Sequence, residues 1–570
     1  MEMTTRYIDL AVAAMLCAML PDTTLAQYNQ EISVEGKYTP EYIQRPRINI
    51  FPDPMHLSAG ESQLPWQMGG EYANFLPEAI PQPATGWRDT RKFDHARGYL
   101  DLNLGSWLDA DLSAGSRIID SDDSVLGVRL QYNSTSLWEP AGESRRERYD
   151  ADLGVYGAKR FEDKGRLYAS LDYSLGYFNY YGWCESGAPT QTLNNLRAEI
   201  GWQSNASGPD SGSEKFNWYA TIGVDYFGYR SLYLPISEAE PIFEMPGLRE
   251  TRTMLDAGLN FQVSSKSSLG LDLSGNLMIY KQGNVPADFR PDNYGLVTMR
   301  PYYKLGSHTL SLRVGAALDL SFNNPTFKSF HIAPDISLDY NAGECAIFAR
   351  LTGGSELHTL ASDRQLDYYS APVLGSQSPV YSPLDSRLGV NFGPWKGFRA
   401  SAEIGYKVSL GQPFGGLYGL GIIPEGNMRI AGMTAQAMLG YDAGKIFGIS
   451  AKTTYQPQDK GRGYFNGYDR PVWTAEAEVR TNPWSTLSFA LAYQMRARRG
   501  VWYAAGEIGN ELEKTELPNQ SLLSLTAHYG ITDRIGVSLQ ADNLLCRRRQ
   551  SMPGISEPGL RVMAGLNIRF

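Results

Sequence analysis

The chain of 570 residues has no run of eighteen consecutive apolar residues. A transmembrane helix needs about 20 such residues, so helical membrane spans are excluded. The mean hydropathy is -0.33, which is typical of soluble proteins and also of membrane proteins in which only alternate residues of each strand face lipid. Hydropathy alone does not separate these two classes.

Cysteine is also scarce. The chain has four, of which Cys17 lies in an N-terminal apolar run, leaving Cys184, Cys345 and Cys546. An odd number of widely spaced cysteines excludes a disulfide framework. A single bridge between Cys184 and Cys546 is the alternative that remains open.

Motifs for chemistry are missing. None of the six histidines is three or four residues from another, which excludes the usual zinc and haem spacings. We predict no metal site, no cofactor and no catalytic site, so the chain is not predicted to be an enzyme. A barrel-type hydrolase that uses His308 or His528 is the alternative ranked last, because no nucleophile, base and acid are placed together.

Residues 120–123, Asp-Ser-Asp-Asp, are a carboxylate cluster that would suit calcium. The same residue types favour a tight turn, which is the preferred interpretation. The net charge of -9 excludes a general nucleic-acid binder, because such proteins carry a basic surface.

Alternation is what the chain has in abundance. Over residues 560–570 apolar side chains occupy every second position, and a period of two places them on one face of a strand. The opposite face keeps charges, and the pattern ends on Phe570, as in a lipid-facing barrel strand. The apolar set is Leu560, Val562, Ala564, Leu566, Ile568 and Phe570.

Similar segments recur upstream to residue 98 and total about 22, most of them long enough to cross a bilayer with about 9–11 residues. We therefore predict an all-β fold, a transmembrane antiparallel β-barrel of about 22 strands over residues 98–570. The last strand should pair with residues 98–105 to close it. The alternative is a soluble β-propeller, but no motif repeats at its period of about 40–50 residues.

The connections alternate between tight turns and long loops, an asymmetry that is expected of outer-membrane barrels and places both termini in the periplasm. Two places depart from it, because 106–109 is short where a loop is expected and 205–213 is long where a turn is expected. The predicted long loops are 137–146, 179–190, 231–250, 282–291, 355–384, 411–427, 458–469, 499–518 and 546–557.

The N-terminal region differs in kind. Arg6, the apolar run 10–20 and Thr24-Leu25-Ala26 predict a signal peptide over residues 1–26. Eight prolines follow before residue 97, and this density disfavours regular strands and helices. We predict that residues 27–97 form a mostly irregular segment in the periplasm or the lumen.

Aromatic residues are densest over 177–183. At an outer strand end, such rings suit an interfacial girdle, which is the preferred interpretation. The alternative is a ligand contact in which the rings stack on a sugar or another apolar face. The candidate contacts are Tyr177, Phe178, Tyr180, Tyr181 and Trp183.

The C-terminal region resembles that of TonB-dependent receptors. Residues 541–545, Ala-Asp-Asn-Leu-Leu, are followed by the basic residues 547–549, then by Pro558-Gly559 and a strand that ends in Phe570. The resemblance implies a bacterial outer-membrane barrel of about that strand number and solute uptake across the membrane. It also implies that the barrel insertion machinery reads Phe570 as an insertion signal.

The chain departs from that family before its first strand. The family's plug domain has well over a hundred residues, whereas the predicted segment 27–97 is too short for a complete plug. Near its start, Glu31, Ile32, Ser33 and Val34 resemble the short box that engages a TonB-like energy transducer. An ordinary strand or linker is the alternative for these four residues.

Solute uptake is accordingly the first function that we predict, with outer-membrane lipid and a TonB-like transducer as partners. The alternative is a structural or accessory barrel in an outer-membrane complex, with lipoprotein and barrel subunits as partners. No nucleic-acid partner is predicted.

Overall fold

A computed structural model describes the chain from residue 97 to Phe570. Its gaps are residues 107–108, 122, 139–144, 162–164, 181–188, 205–215, 235–242, 282–291, 308, 324–328, 367–378, 419–420, 445, 458–469, 505–511, 548, 553–554 and 558. The predicted signal peptide and residues 27–96 lie outside the described residues.

Strands account for nearly all of the described chain, as the period-two pattern predicts. The first fifteen are β1 (Gly98–Gly105), β2 (Ala110–Asp120), β3 (Ser124–Trp138), β4 (Arg145–Phe161), β5 (Gly165–Asn179), β6 (Thr190–Gln203), β7 (Phe216–Tyr229), β8 (Ser231–Leu234), β9 (Phe243–Pro246), β10 (Arg249–Ser264), β11 (Ser267–Lys281), β12 (Tyr294–Gly306), β13 (Leu310–Phe322), β14 (Phe330–Ala342) and β15 (Cys345–Glu356).

A short helix, α1 (Leu360–Leu366), follows β15. The remaining strands are β16 (Val380–Trp395), β17 (Phe398–Tyr418), β18 (Gly421–Ala443), β19 (Phe447–Tyr455), β20 (Arg470–Trp484), β21 (Leu487–Ala504), β22 (Leu512–Leu517), β23 (Gln520–Gly530), β24 (Ile535–Asp542), β25 (Arg549–Met552), β26 (Ile555–Glu557) and β27 (Arg561–Arg569). No helix of the described residues is long and apolar enough to cross a membrane.

The strands form a closed antiparallel barrel of 22 strands. The same sheet contains one more strand, β22, which pairs with residues 499–504 of β21. The next barrel strand, β23, pairs with residues 487–496 of β21. The ring closes where β1 pairs with β27, with Tyr99 opposite Arg569 and Gly105 opposite Met563. The predicted fold and the predicted partner of the closing strand are both confirmed, and the ring excludes the propeller.

The two faces of each strand differ in chemistry. On β27, Val562 and Leu566 are exposed on the outer surface while Met563 is 2% exposed on the other face. On β5, Leu171, Tyr173 and Leu175 share the outer face and are all exposed. Alternation therefore produces an apolar belt around the outside of the barrel, and the residues between lie in the lumen.

The connections alternate as predicted. Gly343 and Glu344 join β14 to β15, and Lys396 and Gly397 join β16 to β17, at the barrel end where Gly98 and Phe570 lie. The opposite end carries the long connections, two of which contain the hairpins β8–β9 and β25–β26. For the two departures noted in the sequence, the described strands leave four residues between β1 and β2 and twelve between β6 and β7, while residues 107–108 and 205–213 themselves lie outside the described residues.

Two predicted loops are largely strand. Residues 411–427 are predicted as a glycine-rich loop, but β17 continues to Tyr418 and β18 starts at Gly421. Residues 499–518 contain the end of β21 and all of β22. Pairing between adjacent strands overrides the weak strand preference of glycine here. A backbone bridge between Leu417 and Tyr503 joins the two extensions.

Candidate functional site: the barrel lumen

The lumen wall is polar and many of its charges are paired, although both carboxylate oxygens of the buried Glu403 on β17 lack a hydrogen bond among the described residues. Arg313 on β13 is the clearest node, because its guanidinium donates to Asp272 and to Asp335 at 2.9 Å each. It also lies over the ring of Tyr302, 3.7 Å from the centroid. Other lumen pairs are Arg129–Asp172 at 2.5 Å, Arg350–Asp339 at 2.6 Å and Lys407–Glu356 at 2.8 Å. Pairing keeps these groups satisfied where they are partly withdrawn from water.

Tyrosine rings cover glycines of the neighbouring strand on the same wall. The ring of Tyr302 lies against Gly270, and the ring of Tyr219 lies against Gly258. A Cβ at either glycine would overlap the ring, so a larger residue there would have to displace the tyrosine. Hydrogen bonds orient the rings, since Tyr219 Oη donates to Asp272 at 3.3 Å.

One connection at the long-loop end enters the lumen. After β15, residues 357–359 lead into α1, and this segment from 357 to 366 is here called the strap. Gly354 has a φ of +125°, which L residues rarely adopt, and the pairing of β15 with β16 shifts register beside it. The backbone therefore bends away from the wall just before the strap.

Both ends of this bend are held. Ser355 N donates to Asp319 at 2.7 Å, and Thr298 Oγ1 donates to the same carboxylate at 2.6 Å. Glu356 accepts from Lys407 on β17. Thr359 caps α1, because its Oγ1 accepts from Ser362 N at 3.0 Å while Ser362 Oγ accepts from Thr359 N at 2.9 Å.

The strap reaches a distant wall. Arg364 Nη2 donates to Asp150 Oδ1 on β4 at 2.6 Å, and Arg148 Nε donates to Asp150 Oδ2 at 2.7 Å. Counted round the ring through β5–β7 and β10–β15, β4 and β15 are nine strands apart. Gly176 on β5 lies directly beside the Arg364 guanidinium. The strap thus bridges the lumen rather than following its rim.

An intermediate contact lies on β10 and β12. Leu360 N donates to Glu250 Oε2 at 3.0 Å, and Tyr294 Oη donates to the His358 carbonyl at 3.5 Å. Leu360 is 2% exposed. The lumen-facing wall around these contacts is apolar and buried, in contrast to the polar wall elsewhere; it comprises Phe178, Leu193, Phe227, Tyr229, Met254, Met278, Tyr280, Tyr294 and Leu296.

The predicted aromatic run divides at this wall. Tyr177 shares the outer face with Leu175 and packs against Tyr149 with the ring centroids 5.5 Å apart and the rings tilted by 38°, so a girdle position suits it. Phe178 and Tyr180 are instead 0% and 1% exposed and pack edge to face at 5.0 Å. Tyr181 and Trp183 lie outside the described residues, as does the candidate coupling box Glu31, Ile32, Ser33 and Val34.

The remaining sequence candidates are separate from the strap. Ser121 and Ser124 close the turn at 120–123 through reciprocal hydrogen bonds, and Asp122 lies outside the described residues. No group of three or more potential metal ligands occurs in the part of the chain that the structure describes. Cys345 and Cys546 are free thiols, whereas Cys184 and His308 fall in gaps.

Sequence reasoning missed the strap. One available signal was the presence of apolar residues at strand positions that face the lumen, such as Met254, Met278 and Leu296. A water-filled barrel would have polar residues there. A second signal was the pair Gly353-Gly354 at the end of a strand. Together they indicate a covered wall and a bend, although neither identifies what covers the wall.

A closed antiparallel barrel with an apolar exterior and a polar lumen is a transmembrane β-barrel. No protein-family model matches this chain, and no curated protein sequence matches it.

Solved structures of similar fold are receptors and transporters. The siderophore receptor PirA from Acinetobacter baumannii has a TM-score of 0.64 at 12% identity, covering 83% of this chain and 80% of that chain. The FrpB iron transporter from Neisseria meningitidis (F3-3 variant) has a TM-score of 0.62 at 12% identity, and the match covers 84% of this chain and 82% of that chain. A mutant ferric enterobactin receptor, PfeA, from Pseudomonas aeruginosa has a TM-score of 0.63 at 13% identity, and the match covers 83% of this chain and 81% of that chain. The barrel is built like those of TonB-dependent receptors, as the C-terminal residues implied.

Proposed function

We propose that this protein is an outer-membrane barrel that takes up a solute, with both termini in the periplasm. The observation that carries the proposal is the lumen of a 22-strand barrel, polar over much of its wall and bridged by a strap whose far end is held by hydrogen bonds and an ion pair. The wall is held by continuous backbone pairing between strands, whereas a segment held by a few side-chain contacts can exchange them for water. The similar solved structures, which are receptors and transporters, support the same class.

Energy coupling is a further part of this proposal. Residues 27–97 precede β1, which starts at the short-turn end of the barrel, so the candidate box Glu31, Ile32, Ser33 and Val34 would lie on the periplasmic side. There it would meet a TonB-like transducer. Alanine substitution of the four residues should abolish energy-dependent uptake and leave the amount of folded barrel unchanged.

Single-channel conductance in planar bilayers tests transport itself. The full mature chain should conduct little, and removal of residues 27–96 should raise the conductance if that segment narrows the lumen. Transport is wrong if neither form conducts and neither takes up a solute in vesicles.

A second candidate is an accessory barrel subunit, and the tall strands favour it. Strands β17 and β18 have 21 and 23 residues, about twice the length needed to cross a bilayer. Their extension beyond the membrane, joined to that of β21, offers a partner a large backbone platform. Subunits that co-purify at fixed stoichiometry would favour this candidate over a lone transporter.

A further inference from the structure

We propose that the strap is a latched gate: its far end is released from Asp150 when the lumen opens, while its base stays on the wall. This inference rests on the proposed uptake function and adds the device that controls it. It follows from the unequal way in which the two ends of the strap are attached.

The base is attached through the barrel wall itself. Glu356 is the last residue of β15 and is paired with Val380 on β16. Ser355 binds Asp319, which is 0% exposed, and Glu356 also meets Lys407. Backbone pairing and a buried carboxylate keep this end in place.

The far end has no backbone pairing to β4 in the described contacts. It is held by the ion pair of Arg364 with Asp150, whose side chains are 19% and 16% exposed. Asp150 sits between two guanidiniums, since Arg148 binds its other oxygen. On release of the strap, Arg148 keeps the carboxylate paired, so opening does not leave a buried unpaired charge. This arrangement lowers the free-energy cost of releasing Arg364 and leaves Asp150 ionised and in place for Arg364 to bind again.

The middle contact is of intermediate character. Leu360 is buried, but the hydrogen bond to Glu250 is a single charge-assisted one. The pivot is the irregular segment 357–359, because it lies between Glu356, which stays paired with β16, and the start of α1. The gate therefore has a hinge, a middle seat and a latch.

The test reads the position of the strap and the permeability of the lumen in the same full-length protein. Spin labels are placed at Ala361→Cys on the strap and Ser174→Cys on β5, with Cys184, Cys345 and Cys546 replaced by serine. The charge variants are R364E, D150R and the exchanged pair R364E/D150R. The exchange keeps the local net charge, since Arg148 is then accompanied by one arginine and one glutamate in place of one arginine and one aspartate.

The expected result is a longer and broader label distance in R364E and D150R, by about 10 Å, the length of the seven-residue helix. The time-averaged KCl conductance should rise about tenfold or more, because loss of a charge-assisted hydrogen bond raises the ratio of open to latched strap by about that factor. The exchanged pair should restore both readouts. R364Q removes the charge without reversing it, and it should also lengthen the label distance and raise the conductance. It keeps the test valid if the charge-reversal variants fail to fold.

The matched control is R387E. Arg387 pairs with Asp385 at 2.8 Å within β16, and the two side chains are 19% and 11% exposed, so the burial is similar while the pair does not join the strap to the wall. It should leave the label distance unchanged. An unchanged distance in R364E, D150R and R364Q overturns the latch. A changed distance without a rise in conductance, both in the full chain and in the chain that lacks residues 27–96, overturns the gate. Absence of solute uptake in the wild type bears on the proposed function alone, since the label distance needs no solute.

Discussion

Gly98 and Phe570 exchange two backbone hydrogen bonds: Gly98 N donates to the Phe570 carbonyl at 2.8 Å, and Phe570 N donates to the Gly98 carbonyl at 3.0 Å. The Phe570 ring also lies over Gly98, where an added Cβ would be 2.5 Å from Cε2. The first and last strands of the barrel are thus joined at their ends by both backbone and ring.

Substitution of Gly98 by valine should therefore weaken closure. The added side chain would displace the Phe570 ring, which is exposed and can move aside, so the cost should lie at the low end of the about 1–3 kcal/mol of overpacking. The folded fraction, read from heat-modifiable migration on gels, should fall. Gly432→Ala is the control, because a Cβ there meets nothing within 4 Å. Equal folded fractions in the two variants would show that the ring contact does not matter.

Arg561 should be a large contributor to stability near the same seam. Its guanidinium lies 2.5 Å from Asp109, 3.7 Å from Asp111 and 3.9 Å from Asp542. All three carboxylates are nearly buried. Arg561→Ala removes their shared cation, and loss of one member of a buried ionic group costs about 3–5 kcal/mol.

Urea unfolding in lipid vesicles measures that loss. Arg480→Ala serves as the comparison, since its pair with Glu478 has side chains 49% and 33% exposed and such pairs contribute about 0–1 kcal/mol. If both arginines prove equally dispensable, the cluster around Arg561 does not stabilise the seam.

Arginine should be tolerated on one face of β21 and not on the other. Leu491 is exposed on the outer face, and Leu491→Arg would place a charge toward lipid at a cost of about 2–4 kcal/mol near the midplane. Ala492→Arg points into the lumen beside Glu478, its partner across the ladder. Only the first should reduce membrane insertion, as measured by protease resistance of the assembled barrel. Similar losses for both would contradict the assignment of faces.

Thiol labelling should report the orientation of the barrel. Cys546 is exposed in the long connection after β24, and Cys345 starts β15 next to the short turn at Gly343. In cells, an impermeant maleimide should label the variant that retains only Cys546. It should label the variant that retains only Cys345 after the outer membrane is permeabilised. The reverse order would place the termini outside the cell.

Much of the fold could be predicted because lipid and water impose a period of two on every strand. Leu566 faces lipid and Arg561 faces the lumen, and the alternation along β27 is enough to assign each residue to its face. Short turns at Gly343 and Gly444 were equally local, since both glycines have positive φ. The extensions at 411–427 could not be read this way, because glycine-rich segments suit loops as well as paired strands.

The candidate site was predictable only in its polarity. Asp150 and Arg364 are 214 residues apart, and Arg561 and Asp109 are 452 apart. Pairs at such separations leave no periodic trace, and any acidic residue on the wall would have satisfied Arg364 equally well on sequence grounds.

What the sequence determined by itself is the barrel: alternation sets which face meets lipid, and the number of alternating segments sets the size of the ring. What the tertiary structure decided is how the lumen is filled. The strap finds Asp150 because closure of the ring brings β4 opposite β15, and that juxtaposition exists only once all the intervening strands have paired. Gly98 and Phe570 acquire their contact at the same step, when the last strand meets the first.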